Sequence, residues 1–353
     1  MCNGSATAAV NFTGAVPGTV YSWTNTNTTI GLAASGTGNI ASFTATNATA
    51  TPQVATITVT PTYTNGATTC TGTAITFTIT VNPTPAVNTI ANQTVCAGAA
   101  TTAVTIAGPV AGTVYSWTNN NTSIGLGASG TNTIPSFTAV NATSTPVTAT
   151  ITVTPSYTNG GITCSGASTT FTITVNPTAN VNQPANQLLC NGSGTSAVNF
   201  TGTVAGTTYS WTNSNTAIGL AASGTGNIPS FTATNNTAAP ITATITVTPS
   251  SASGCTGTPV SFTITVNPTP SVNAIANQAV CAGSATTAVT ITGPVAGTVF
   301  TWTNNNTTIG LGDSGTGNIP SFTAVNATGT PVTATITVTP SYTNGGVTCT
   351  GAP

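Results

Sequence analysis

Alternation with a period of two runs through most of the chain. In Thr148-Ala149-Thr150-Ile151-Thr152-Val153-Thr154 every second residue is threonine and the residues between are apolar. Phe171-Thr172-Ile173-Thr174-Val175 follows the same rule. Side chains of a strand point alternately to opposite faces, so such a segment buries one face and lines the other with hydroxyls. Threonine is β-branched and favours strands, which lets it stand on solvent faces where lysine and glutamate are usual. Helix signals are absent: Glu, Lys and Arg are missing and Leu is rare. Over residues 83–176 the pattern predicts seven strands, at about 86–95, 102–107, 113–118, a short one within 124–130, then 134–141, 147–157 and 169–176.

The pattern recurs at long range. Tyr21-Ser22-Trp23-Thr24-Asn25 returns as Tyr115-Ser116-Trp117-Thr118-Asn119, as Tyr209-Ser210-Trp211-Thr212-Asn213, and as Phe300-Thr301-Trp302-Thr303-Asn304. Successive tryptophans are 94, 94 and 91 residues apart. That period is too long for a solenoid unit of roughly 20–50 residues and suits one small β-sandwich per repeat. The expectation is an all-β fold: a tandem array of four immunoglobulin-like sandwiches in an elongated rod. The repeats are 1–82, which lacks the first strand, 83–176, 177–267, and 268–353, which lacks the last. Met1 reads as an added start, and the chain reads as four units cut from a longer array. Exchange of the absent strand with a neighbouring molecule is the alternative. Short proline-rich linkers such as Asn82-Pro83-Thr84-Pro85 and Asn267-Pro268-Thr269-Pro270 favour extended, stiff connections. Trp23, Trp117, Trp211 and Trp302 share strand register with their aromatic neighbours and are expected in the structural core. A sugar-stacking platform is the competing role.

Composition removes whole classes of chemistry. There is no Lys, Arg or His and a single acidic residue, Asp313, while threonine supplies 89 of the 353 residues. General acid–base catalysis needs a titratable group near its target, so no catalytic residue and no cofactor-binding residue is expected, and the protein is read as not an enzyme. Metal sites of His or carboxylate are excluded, calcium between domains included. Asp313 stands alone, with Ala34, Ala128 and Ala222 at its counterparts. Nucleic acid is not a partner without cations to meet phosphate. No apolar run is long enough to insert in a membrane, and no signal peptide is visible. With 39% hydrophobic residues and a net charge of -1 the chain is not disordered. Near-neutrality predicts stability that varies little with pH or salt, and a tendency to lateral self-association for want of charge repulsion. The Asn-x-Thr/Ser triplets are expected by chance at this composition.

Eight cysteines fall two to a repeat: Cys2, Cys70, Cys96, Cys164, Cys190, Cys255, Cys281 and Cys349. All eight are expected in disulfides. Pairing within repeats leaves no orphan. Yet one cysteine precedes the second strand and the other lies in the last hairpin, at opposite poles of a sandwich. A six-residue strand spans about 20 Å and a disulfide needs Cα atoms within about 7 Å. Geometry therefore favours staples between neighbouring repeats, Cys2–Cys164, Cys96–Cys255 and Cys190–Cys349, and both schemes stay open.

The phrases Trp-Thr-Asn, Ile-Gly-Leu, Ser-Gly-Thr-Gly-Asn-Ile, Thr-Ile-Thr-Val-Thr-Pro and Phe-Thr-Ile-Thr-Val-Asn-Pro resemble the PKD-like, immunoglobulin-like tandem repeats of giant Bacteroidota surface adhesins. The resemblance covers the whole chain. It implies a secreted, extracellular, cell-surface stalk or filament exported by the type IX system and linked to attachment or gliding motility. The partners it implies are adjacent repeats of the same giant protein. The acidic Gly-Asp-Gly turn of polycystin-type domains is replaced here by Asn-rich sequence. Two other functions compete. Rows of Thr-x-Thr resemble ice-binding faces, although twisted sheets are not flat. A glycan-binding module would present exposed aromatics.

Overall fold

The long threonine-alternating strand is the axis of each repeat. In the computed structural model, which describes all 353 residues, Val147–Asn159 pairs along one edge with Val114–Asn119, the tryptophan strand. Along its other edge it pairs first with Thr169–Asn176, from Val147↔Val175 to Val153↔Thr169. The same edge then pairs with Ile162–Ser165, from Ser156↔Ser165 to Asn159↔Ile162. Pro155 stands where one partner ends and the next begins; it has no N–H to give a ladder, and its carbonyl accepts from Gly166 at 3.0 Å. Gln93–Cys96 closes the sheet, parallel to Thr169–Asn176 with Val95 opposite Val175. Ser129–Thr131 closes the other side against the tryptophan strand.

The facing layer is small. Val104–Thr105 pairs with Thr133–Ile134, and Ala100 bridges Thr138. Between the layers lie Trp117, Ile124, Leu126, Ile134, Ile151, Val153, Phe171 and Ile173, all buried. Such sandwiches occur in tandem, and the fold is all-β and immunoglobulin-like. The chain divides into two compact units, Met1–Pro177 and Thr178–Pro353, each with two separate cores.

Three expected strands shrink: 102–107 keeps only Val104–Thr105, and the other two shorten for a local reason. The segment 134–141 keeps a continuous ladder only at Thr133–Ile134, with a lone bridge at Thr138 beyond it, because Pro135 follows and a side chain then serves the backbone. The Thr101 hydroxyl accepts from the Phe137 N–H at 3.1 Å, and the Ser136 hydroxyl donates to the Thr101 carbonyl. The same bonds join Thr7 to Ser42 and Phe43, Thr195 to Ser230 and Phe231, and Thr286 to Ser321 and Phe322. Segment 86–95 is likewise a strand only from Gln93. Before that, single bonds pin it: Asn88 N–H to the Ala107 carbonyl at 2.8 Å, and Thr172 N–H to the Asn92 side chain at 2.8 Å.

The recurring Ile-Gly-Leu phrase is a 3-10 turn, Thr122–Ile124 in the second repeat. Asn121 caps it by accepting from the Ser123 N–H, and Gly125 closes it at φ 96. A left-handed residue there favours glycine. Ile124 is fully buried beneath it, as are Ile30 and Ile218 in their own copies. Gly130 serves a different need: a Cβ there would run into the Trp117 indole, and Gly36, Gly224 and Gly315 stand against their tryptophans in the same way.

Thr101→Val keeps the shape of the side chain but leaves the Phe137 amide without its acceptor. The expected loss is about 1–3 kcal/mol, read as roughly 5- to 150-fold faster hydrogen exchange at Phe137 and Ile151. Thr148→Val, on the exposed hydroxyl row, should change exchange by less than about 0.5 kcal/mol. Equal effects of the two would contradict this account.

Candidate functional site

The most elaborately built feature outside the cores is the junction between consecutive repeats within each unit. In the first unit Cys2 is bonded to Cys164, 162 residues away, with Cα atoms 5.5 Å apart. Cys2 lies at the foot of the first repeat, where its backbone bridges Asn82. Cys164 lies in the hairpin strand Ile162–Ser165 of the second. Beside the disulfide, two asparagines clasp each other. The Asn159 amide donates to the Asn82 side-chain oxygen at 2.9 Å, and the Asn82 amide donates to the Asn159 carbonyl at 3.2 Å. Asn82 is 1% exposed. The linker is tied down as well, since the Asn3 amide donates to the Thr84 hydroxyl at 3.0 Å.

The second unit builds the same junction from its own residues. Cys190 is bonded to Cys349, again with Cα atoms 5.5 Å apart. The Asn344 amide donates to Asn267 at 2.9 Å and the Asn267 amide to the Asn344 carbonyl at 3.4 Å, with Asn267 fully buried. Asn191 donates to the Thr269 hydroxyl at 3.1 Å. Each arrangement joins a cysteine before the second strand of one repeat to the hairpin cysteine of the next. Cys96 and Cys255 are disulfide-bonded too. Cys70 and Cys281, expected above among the bridged cysteines, are free and exposed. The pairing rule explains them: a hairpin cysteine bonds backward and a second-strand cysteine bonds forward, so these two have no counterpart within the 353 residues.

The asparagine clasp was not anticipated, although its signal stands in the text as the recurring Val-Asn-Pro and Tyr-Thr-Asn-Gly phrases. A second set was dismissed as chance and has a defined place. Asn47, Asn141, Asn235 and Asn326 open Asn-x-Thr triplets whose side-chain oxygen accepts from the backbone and hydroxyl of the threonine two residues on. The Asn47 and Asn141 amides also donate to the carbonyls of Val81 and Val175, at 2.8 Å each. These turns bind the loop before the central strand to the last strand of the sheet.

All four tryptophans lie in the cores, with exposures of 7, 4, 7 and 6% for Trp23, Trp117, Trp211 and Trp302. None offers a ring face to solvent. Trp117 donates its Nε1–H to the Thr133 carbonyl at 3.0 Å. The other three indole N–H groups are buried without a partner. Asp313 is exposed, accepts from the Ser314 hydroxyl at 3.3 Å, and no group of three His, Cys, Asp or Glu side chains gathers anywhere. No helix is long and apolar enough to cross a membrane. Burial pushes the Tyr209 hydroxyl above the usual phenol range.

Residues 1–85 and 187–270 match the family model of the PKD-like domain. No curated protein matches the chain. Among solved structures the chain is similar to Sidekick-1 immunoglobulin domains 1–5, at 14% identity and a TM-score of 0.30, covering 99% of this chain and 76% of that one. It is similar to protocadherin gammaB7 EC3-6 at 15% identity and a TM-score of 0.33, covering 94% and 92%. Drosophila N-cadherin EC1-4 follows at 11% and 0.30, covering 70% of this chain and 66% of that one.

A chymotryptic map without reduction is expected to yield peptides joined through Cys2–Cys164 and Cys190–Cys349, with two alkylatable thiols, Cys70 and Cys281; a linked Cys2–Cys70 peptide would contradict it. The pH profile follows from the one shifted group. Tyr209 has its folded-state pKa raised, so its contribution is present below the unfolded value of about 10 and is lost as pH rises through the folded value. The unfolding midpoint should be flat from about pH 5 to 9 and fall only in the alkaline range. A steep change between pH 5 and 7 would show an ionisable interaction that the structure does not contain.

Proposed function

We propose that the chain is a structural spacer, a stalk segment of a giant extracellular surface adhesin or filament, with repeats at 1–82, 83–176, 177–267 and 268–353. PKD-like and immunoglobulin-like domains are typical of extracellular adhesion-type proteins, and disulfides persist in oxidising compartments. The observation that carries the reading is the junction built twice over: a disulfide, an asparagine clasp and a tied proline linker, with the same partners in both units. A binding module varies at its loops from copy to copy, whereas here the two units repeat one and the same joint where a repeat meets the next. Attachment or gliding of a Bacteroidota-type cell, with type IX export, is the setting that the repeat phrases suggest. In that role the near absence of charge makes the segment indifferent to pH and salt and leaves trypsin nothing to cut. Stiffening by calcium is not needed, because the staples and linkers limit bending.

Small-angle scattering and negative-stain imaging under oxidising and then reducing conditions test this. A row of four beads about 150 Å long, at roughly 40 Å per repeat, is expected when oxidised. Reduction should increase bending while each bead stays folded. Beads that unfold on reduction, or a collapsed globule before it, would sink the spacer reading.

A further inference from the structure

Five Asn-Gly dipeptides occur in the chain, and four of them stand at the two junctions. Asn3-Gly4 and Asn159-Gly160 belong to one, Asn191-Gly192 and Asn344-Gly345 to the other; the fifth, Asn65-Gly66, lies in the hairpin of the first repeat. A glycine after asparagine has no Cβ to shield its backbone nitrogen, so that nitrogen can close on the asparagine side-chain carbon. Asparagines in this setting are the ones that lose their amide spontaneously.

The structure divides the four junction sites into two kinds. At Asn3 and Asn191 both reacting groups are held. The Gly4 N–H donates to the Ala45 carbonyl at 2.7 Å, and the Gly192 N–H to the Ala233 carbonyl at 2.8 Å. The side-chain oxygens of Asn3 and Asn191 accept from the Asn47 and Asn235 N–H groups at 2.8 and 2.9 Å, while their amides donate to Thr84 and Thr269. Asn159 and Asn344 differ, because each precedes a two-glycine turn. Both glycines of each turn have positive φ, 57° and 75° at Gly160 and Gly161, 54° and 83° at Gly345 and Gly346. The turns are exposed, and the N–H groups of Gly160 and Gly345 make no hydrogen bond. The Asn159 and Asn344 side chains are held through the nitrogen alone, by the clasp.

We propose that Asn159 and Asn344 are self-modification sites, whose deamidation unfastens the clasp while the disulfide stays closed. The deprotonated Gly160 nitrogen attacks Cγ of Asn159. An N–Cγ bond forms, the Cγ–Nδ2 bond breaks, and Nδ2 leaves as ammonia, taking up one proton for the one the glycine gave up. Water then opens the five-membered ring at either carbonyl, leaving aspartate or isoaspartate. Either product replaces the neutral side-chain amide by a carboxylate, which accepts hydrogen bonds and has no N–H to give. Asn82, 1% exposed, then loses the donor its oxygen faces. Turning the Asn82 amide over to meet the carboxylate sets its oxygen against the Asn159 carbonyl, so one of the two bonds is lost either way. The same chemistry at Gly345 and Asn344 opens the clasp on Asn267. The joint keeps its tether and loses its orientation, irreversibly. The inference rests on junction geometry and holds whether or not the array is a stalk.

The oxidised whole chain is incubated at pH 9 and 37 °C, and amide-to-acid conversion is followed site by site by peptide mass spectrometry. Asn159 and Asn344 are expected to convert roughly tenfold or more faster than Asn3 and Asn191, where an amide hydrogen bond must break first. In the aged chain the side-chain amide protons of Asn82 and Asn267 should exchange severalfold faster by NMR. A chain carrying Asn159→Asp and Asn344→Asp should show the same excess over wild type at pH 7. At pH 3, below the carboxyl pKa of about 4, the protonated acid regains a donor and the excess should shrink. No conversion at Asn159 and Asn344, equal conversion at all four asparagines, or unchanged exchange at Asn82 in the aged chain would overturn the proposal. So would an excess in the Asp variant that persists in full at pH 3.

Discussion

Hydrogen bonds from neutral side chains to backbone hold this protein in shape wherever its chain leaves a sheet. A buried amide or carbonyl without a partner costs about 1–3 kcal/mol, and these sandwiches have many turns and few long ladders. With no Lys, Arg, His or Glu, the partners must be amides and hydroxyls. Asparagine suits the task because one side chain both donates and accepts. Asn119 donates to the Leu126 carbonyl at 3.0 Å and accepts from Asn121 N–H at 2.9 Å, which fixes the loop that drops Ile124 into the core. Asn25, Asn213 and Asn304 repeat the arrangement. The cores between are assembled mainly from Ile, Val, Ala and one indole per repeat. Loops bound in this way can cover so modest a core without charged groups at its rim.

The junctions extend the same chemistry to the surface between repeats. A disulfide closing a chain segment of 162 residues restricts the unfolded chain far more than a local bridge would. It does not by itself fix the angle between two sandwiches. That is the part played by the buried Asn82 and Asn267, whose mutual bonds with Asn159 and Asn344 are directional. Covalent tether and polar clasp therefore divide the work, one limiting separation and the other orientation.

Outside the junctions the exposed faces are occupied by threonine pairs across strands. The hydroxyls of Thr148 and Thr174 lie 3.0 Å apart, those of Thr242 and Thr265 2.9 Å, and those of Thr246 and Ser261 2.9 Å. Their hydrogen-bonding capacity is partly spent on each other, so the rows are less available to an ordered surface than their spelling suggests. Cross-strand pairs of this kind contribute roughly 0.2–1 kcal/mol each, which recovers part of what charged pairs supply in other proteins.

Period-two alternation, the four-fold phrase and the missing charge were enough to settle the all-β class, the tandem arrangement and the last strand at 169–176. Those features depend on neighbouring residues and on burial of one face, which a sequence displays directly. The sequence also places cysteines at opposite poles of a sandwich, and the physical span of a strand then favours the pairings Cys2–Cys164 and Cys190–Cys349 over bridges inside a repeat. Tertiary structure decided the rest. Whether 134–141 becomes a ladder depended on Thr101, over thirty residues earlier, reaching Phe137 first. Whether Asn82 is a turn residue or a clasp depended on Asn159, which only the packing of one repeat on the next brings within 3 Å. Side-chain bonds between distant residues have no period, and composition alone cannot say which of many asparagines will meet.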